Sequence, residues 1–516
     1  MLQEIQEKEL GVISTIILNQ NPKSSGKKSG FLYRAFRNLD RRFFSVKEDA
    51  FKRLDIRELK LNQCEVISIN PIQKKYSDYF GQVDLEKIQK QKPDVLIRLG
   101  FRILKGQILK VPTLGIWSFH HGDNLVNKGG PPCFWEVFLG WETTGSVLQI
   151  LSDKLDSGQV IYRSWSRTDP LSVNRNSNKV YWKSLFFVPR NLQRIKEIGI
   201  EAWKAETNKW ENADQVSKSS LRKPPSNIQM IQLLPGFLWR NLNRKYIELK
   251  NKEQWKIWFG NSLEGIQTGK GTKIPGPANG YLADPFLFDK DGITWCFAER
   301  FDHDREQGSI VVSEIKDNQV KGFQTCLEED FHLSYPFLFE HEKVNYLTVE
   351  SAEKNELRMY KSLDFPIHWE LVSRQFKGQS LYDPTICKKD GLYWLFANRK
   401  EHAEASSFDE LFLYWSENPL TDNWISHPMN PIVSDVKSSR PAGKLFKQSG
   451  QWIRPAQDSG KSYGHRIKLQ RITDWDKEKY QEETQEVIEA NWDKGLLGTH
   501  TLSEVRGLVA LDTFQR

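Results

Sequence analysis

One short phrase recurs five times in the C-terminal half of this chain and limits what that half can fold into. The copies read YLADPFLFDKDGITWCFAER, LSYPFLFEHEKVNYLTVES, LYDPTICKKDGLYWLFANR, SRPAGKLFKQSGQWIRPAQ and, in degenerate form, GTHTLSEVRGLVALD. Aligned prolines at Pro285, Pro336, Pro384 and Pro441 return about every fifty residues. A unit of that length, made of short apolar strands joined by DG-type turns, predicts a β-propeller with one blade per copy. Five blades account for the chain from about Trp255 to its end.

Equivalent offsets in repeats related by rotation form a ring, so the copies also predict where chemistry gathers. Immediately before the aligned prolines stand Asp284, Tyr335, Asp383 and Arg440, with His500 as the fifth member. A second ring, further along each copy, holds Glu299, Glu350, Asn398 and Pro455, the last flanked by Arg454 and followed by Gln457 and Asp458. Apolar strands lead to these charged ends, which places both rings at one mouth of the central channel. Turn chemistry accounts for Asp-Pro and Asp-Gly pairs, but not for charges at both offsets.

The 516 residues suffice for two or three domains, and 38% apolar with 12% aromatic residues supports packed cores. Five scattered cysteines without a CxxC pair argue against a disulfide frame or a zinc site and predict reduced thiols in the cytoplasm. No signal-peptide pattern opens the sequence, and no apolar run reaches the ~20 residues that cross a bilayer. The net charge of +8 is uneven: between Lys23 and Lys60 basic residues cluster around aromatics in KSSGKKSGFLYRAFRNLDRRFF. That composition suits either a solvated helix face or peripheral contact with anionic lipid on the inner face of a membrane; no nucleic-acid partner is expected.

The N-terminal half alternates strands and helices. GVISTIILNQ, CEVISIN, DVLIRLG, GIWSFHHGD and SVLQILS read as strands, whereas LEKIQKQK, ILKGQILK and CFWEVFLGWE read as helices. The alternation predicts an α/β layer with a mostly parallel sheet and a ligand crevice beyond the strand ends, where His120, His121 and Asp123 fall. Polar, Ser/Lys-rich sequence from about 206 to 228 reads as a linker, followed by an amphipathic helix that Pro235 interrupts and that is expected to pack on the propeller. The predicted organisation is therefore an α/β domain over 1–205, a linker and connector helix over 206–252, and the propeller over 253–516.

The stretch from Asp94 to Ile161 resembles the Rossmann-type catalytic domain of the formyltransferases that include methionyl-tRNA formyltransferase and the sugar N-formyltransferases. Ser118-Phe119-His120, Gly129-Gly130-Pro131-Pro132 and Leu155-Asp156-Ser157-Gly158 match that family's motifs in order and spacing. The resemblance implies that His120 handles the proton, that Asp156 orients it, and that 10-formyltetrahydrofolate is the cofactor. Where the family has an asparagine that donates to the oxyanion, this chain has Ser118, and loss of one such donor costs about 10²–10³ in rate. The family's first strand is also expected to be absent, through a start placed too late or a degenerate domain, since helix-like LQEIQEKEL stands where it would fall.

The repeats resemble the five-bladed propellers of glycoside hydrolase family 43, and more closely the N-terminal propeller of the plant glucosamine inositolphosphorylceramide transferases. LADPFLF, HLSYPFLFE, SRPAGKLF, RPAQD and GTHTL carry the likeness. It implies that Asp284 and Asp383 match the two catalytic aspartates of family 43, while Arg440 replaces the acid. A guanidinium cannot supply a proton, so simple hydrolysis is disfavoured unless Glu299 or Glu350 takes over. Arg440 and Arg454 suit an anionic group, so the propeller is expected to bind or process a phosphorylated sugar. The sequence as a whole predicts a formyl- or acyltransferase-like enzyme acting on an amino sugar in surface-glycan or glycolipid biosynthesis. Its substrate is a sugar, nucleotide sugar or glycolipid, its propeller site is Asp284, Glu299, Tyr335, Glu350, Asp383, Arg440, Arg454 and His500, and it carries no metal. The alternatives are a carbohydrate-binding protein with two degenerate sites, and a glycosidase or glycosyltransferase in the propeller.

Overall fold

The computed structural model describes the chain except for residues 22–28, 54, 56–57, 59–63, 75–76, 154–157, 209–220, 251–253, 317–318 and 516. Two compact units emerge: Met1–Leu242 with His402–Ala405, and Asn243–Glu401 with Ser406–Arg516.

In unit 1 a four-stranded sheet runs in the order Gln159–Arg167, Thr143–Ile150, Ile116–His120, Leu96–Arg98. Only the last pair is parallel; the other two are antiparallel. The mostly parallel sheet expected from the strand–helix alternation is thus a mixed one: Thr143–Ile150 and Gln159–Arg167 are joined by a short connection and pair as a hairpin, and Ile116–His120 runs antiparallel to Thr143–Ile150 although a helix lies between them. Thr15–Asn19 and Glu65–Ile69 form a separate parallel pair. Among the described residues, Thr15–Asn19 and Leu96–Arg98 each carry a ladder on one side only, and the Asn19 amide reaches the Gly100 carbonyl (3.4 Å). Alternation along Ile116–His120 sends Trp117 into an apolar core, stacked 5.6 Å from Trp203, and turns Ser118 and His120 to the opposite face.

Two expectations for this half change. ILKGQILK is not one helix: Ile103–Leu104 is a short strand, and Gly106 at φ +83° separates it from a 3₁₀ turn at Gln107–Lys110. The connector helix, Asn227–Lys250 with Pro235 inside it, buries residues in unit 1. Met230 and Phe237 sit in the unit 1 core with Phe134, Val137, Phe138 and Val173.

Unit 2 is β-rich. Its strands form five antiparallel sheets of four or five strands, and the C-terminal strand Leu508–Gln515 pairs with the unit's first strand, Gln254–Gly260. One hairpin in each sheet turns through two residues at positive φ between +50° and +86°: Asp291-Gly292, Glu342-Lys343, Asp390-Gly391, Ser449-Gly450 and Arg506-Gly507. That conformation matches the twist of the flanking strands, which is why DG, SG and RG recur at this point.

Candidate functional site

In three copies the repeated phrase puts a bulge into the first strand of its sheet. Register slips between Ala283 and Phe286, Ser334 and Phe337, and Tyr382 and Thr385. Asp284, Tyr335 and Asp383 there adopt φ of 49°, 50° and 49°. A non-glycine residue held in this region costs of order 1–3 kcal/mol and persists only where its surroundings over-determine it. The bulge also turns the backbone N–H off the ladder, so a buried donor needs another acceptor.

Acidic side chains from neighbouring sheets supply those acceptors. The Asp284 N–H donates to Asp512 (3.0 Å), Tyr335 N–H to Asp284 (3.1 Å) and Asp383 N–H to Glu350 (3.1 Å). The N–H groups of His500 and Thr501 both donate to Asp512 (3.0 Å each). Gly443 N–H donates to the Tyr335 hydroxyl (2.8 Å). At φ +126°, a Cβ on Gly443 would stand 2.0 Å from the Leu502 carbonyl, so only glycine fits. The five predicted ring residues, Asp284, Tyr335, Asp383, Arg440 and His500, are therefore linked into one buried polar network with Glu350.

Cations balance part of the charge. His500 lies between two carboxylates, 2.7 Å from Asp512 and 3.4 Å from Asp284. Burial opposes its charged form, but the two carboxylates outweigh burial and raise its pKa. Arg440 grips Asp383 through Nε (2.5 Å) and Nη2 (3.0 Å), and Nη2 also reaches Glu350 (3.2 Å). Half-exposed Phe408 and Tyr463 face its guanidinium at 4.6 and 5.4 Å. The fork expected to hold a ligand anion is thus committed to two carboxylates. Gln457 adds a hydrogen bond to Asp383 (2.8 Å). Arg454 is no part of the network. Strand alternation turns it away from Gln457, and its guanidinium makes a two-pronged pair with Glu482 (2.8 and 2.6 Å).

Glu299 differs from every other acid here. It is buried, and its carboxyl makes no hydrogen bond among the described residues; His332 Nε2 lies 3.6 Å away. Burial, reinforced by the charges of Asp284 and Glu350, holds its pKa well above the usual carboxylate range. Burial likewise pushes Asp284 up to about 6, with His500 opposing. Backbone packs closely around the Glu299 carboxyl: a Cβ on Gly308 would come within 3.0 Å of Oε1. A cleft of about 540 Å³ lined by Lys273, Leu282, Arg300 and Phe323 lies on the other face of that strand, since Arg300 alternates with Glu299.

In unit 1, His120 Nε2 donates to the Asn127 carbonyl (3.0 Å), which fixes the proton on that nitrogen. Ser118 is 0% exposed, and its hydroxyl oxygen accepts from Arg98 Nε (2.9 Å). It is not presented to a crevice, contrary to expectation, because it is fully buried beside the half-buried Arg98. Asp156 lies outside the described residues. His121 stacks on Tyr181 at 3.6 Å, and burial lowers its pKa to about 3; Asp123 is bound by Arg163 (3.1 Å) and Trp165 (2.9 Å). These residues do not fit a bound formyl donor, because the hydroxyl at the position that should offer the oxyanion a hydrogen bond is fully buried.

Comparison with known proteins follows the same division. The family model described as "Glucosamine inositolphosphorylceramide transferase 1, N-terminal" matches residues 218–499. The chain belongs to that family. Glucosamine inositolphosphorylceramide transferase 1 of rice (Oryza sativa subsp. japonica) is 35% identical over 210 residues, which is 40% of this chain and 28% of the rice protein. The chain therefore spans less than a third of the length of that relative. Methionyl-tRNA formyltransferase of Lysinibacillus sphaericus is 29% identical over 113 residues, 22% of this chain and 35% of that protein. Among solved structures, a family 117 glycoside hydrolase from Zobellia galactanivorans aligns over 51% of this chain and 90% of its own, at 13% identity and a TM-score of 0.33.

Within this family member, Asp284, His500 and Asp512 bring ligand atoms within 4.8 Å of one another and are the described group able to hold a metal ion. As arranged, the imidazole faces a carboxylate with each nitrogen, the geometry of a protonated histidine. Sequence reasoning missed Asp512, Thr501 and His332. Thr501 donates to Asp284 (2.7 Å). Asp512 was hidden because its counterparts at the same step from the hairpin turn, Phe297, Thr348 and Phe396, carry no acid.

Proposed function

We propose that this chain is a carbohydrate-directed transferase component of glycan or glycolipid assembly, in which unit 2 recognises an amino sugar through Glu299. We read the five sheets as the five blades of a propeller. The five matched hairpins and the pairing of the last strand with the first support that reading.

One observation carries the ligand assignment. Asp284, Glu350 and Asp512 are occupied by backbone N–H groups and Asp383 by Arg440, whereas the buried Glu299 carboxyl has no hydrogen-bond partner among the described residues. Buried polar groups are nearly always paired, so an orphan acid beside a cluster of satisfied ones is a ligand contact. Five acids against two cations favour an ammonium over the phosphorylated sugar expected from Arg440. Half-exposed Tyr382, Phe408 and Tyr463 supply apolar faces for a sugar ring. The family's description names glucosamine, an amino sugar, and a ceramide-based glycolipid.

Hydrolysis is less well served. Both oxygens of Asp284 are engaged, by Tyr335 N–H and by Thr501, so it is not free to activate water. Formyl transfer in unit 1 is poorly served, since Ser118, in place of the family's oxyanion donor, is fully buried; the gain of one formyl mass on an amino-sugar nucleotide incubated with 10-formyltetrahydrofolate would reverse that assignment.

Saturation-transfer NMR with glucosamine, N-acetylglucosamine and glucosamine 6-phosphate tests the proposal. Glucosamine should give the strongest signal and Glu299→Gln should abolish it. Equal response to the acetylated sugar, which has no ammonium, would contradict it.

A further inference from the structure

Two helices of unit 1 share an exposed face that the carbohydrate site does not use. Phe31–Phe43 packs against Asn227–Lys250 through an edge-to-face contact of Phe36 with Phe237 (5.8 Å) and a hydrogen bond from the Leu32 N–H to Asn227 (3.0 Å). On the second helix, Ile228, Ile231, Leu238, Trp239 and Leu242 are all exposed, Trp239 and Leu242 at 68%. At about 100° per residue they fall in one stripe roughly 100° wide, opposite the buried Met230 and Phe237. Phe31, Leu39 and Phe43 are exposed on the first helix. Large exposed apolar patches mark interaction sites.

The charges beside the stripe choose the partner. Arg34, Arg41 and Arg42 are exposed on the first helix, and its one acid, Asp40, is buried and bonded to Ser172 (2.7 Å) and Asn174 (2.7 Å). From 227 to 242 the second helix has no acidic residue at all. A second copy docking through the same face would set arginines against arginines with no counter-charge. We infer that this face lies on an anionic lipid bilayer, with the stripe sunk into the headgroup boundary and the arginines on the phosphates. It stands independently of the sugar reading, although a ceramide-linked acceptor would be met at such a surface. Among the described residues no helix is long and apolar enough to cross a membrane, so the contact is interfacial.

Co-sedimentation of the full chain with vesicles tests the inference. It should partition onto phosphatidylcholine vesicles containing phosphatidylserine, weakly onto phosphatidylcholine alone, and less as salt rises. Reversing Arg34, Arg41 and Arg42 to Glu should weaken partitioning at least about a hundredfold, at roughly 1 kcal/mol per basic residue. The double variant Trp239→Ser, Leu242→Ser should also release the protein, with circular dichroism checking that unit 1 stays folded. Undiminished binding by the folded double variant would overturn the inference, because the contact would then be electrostatic only. So would a dimer, seen by analytical ultracentrifugation, that the double variant abolishes.

Discussion

Glu299 concentrates the tension of this molecule in one side chain. Its folded pKa lies well above the ordinary 4.5, and that of Asp284 rises from 3.8 to about 6, both first through burial. A carboxyl with a raised folded pKa binds more protons folded than unfolded, so stability falls as pH climbs from the unfolded toward the folded value. The raised pKa of His500 acts in the same direction: its contribution is complete below the unfolded value of 6.5 and is lost as pH rises through the folded one. Unit 2 should therefore melt at lower temperature at pH 8 than at pH 5. Glu299→Gln, neutral at every pH, should flatten that slope and raise the melting temperature at pH 8 by about 2–4 °C per kcal/mol recovered. A calorimetric melting temperature that increases from pH 5 to pH 8 would contradict the assignment. Glu299 was legible as a ring member from its offset in the repeat, but its isolation was not. Which acid is left without a donor depends on bulge N–H directions, and these exist only once neighbouring sheets are assembled.

At the scale of elements, the bulged inner strand positions the network. The Asp383–Arg440 pair is buried, so Asp383→Ala leaves a guanidinium without its main partner and should cost about 3–5 kcal/mol. A combined Asp383→Leu, Arg440→Met variant should recover much of that loss in urea unfolding, because removing both charges removes the uncompensated one. If the double variant is no more stable than Asp383→Ala, the pair is not what holds these strands together. Strand alternation explains the misplacement of Arg454: an offset in a repeat locates a backbone position, whereas one residue's shift selects the opposite face. The hairpins were legible because Asp-Gly and Ser-Gly impose positive φ locally. The destination of helix 227–250 was not, because it carries apolar residues on two sides, and periodicity alone does not say which side meets which core.

At the scale of the molecule, the two units differ in the size of their sheets. Among the described residues unit 2 has sheets of four or five strands and pairs Leu508–Gln515 with Gln254–Gly260, whereas unit 1 divides its strands among sheets of two to four. Fewer shared ladders lower local stability, so hydrogen exchange should show unit 1 opening first; equal protection across both units would argue against this. The central claim, that unit 2 holds an ammonium-bearing sugar on Glu299, is tested most directly by titration calorimetry with glucosamine near pH 7 in two buffers of different ionisation enthalpy. An incoming ammonium favours the ionised carboxylate, so binding should release a proton from Glu299. The apparent enthalpy should then differ between buffers in the wild type, and the heat of binding should vanish in Glu299→Gln. Binding with the same enthalpy in both buffers, or undiminished binding by Glu299→Gln, would contradict the account.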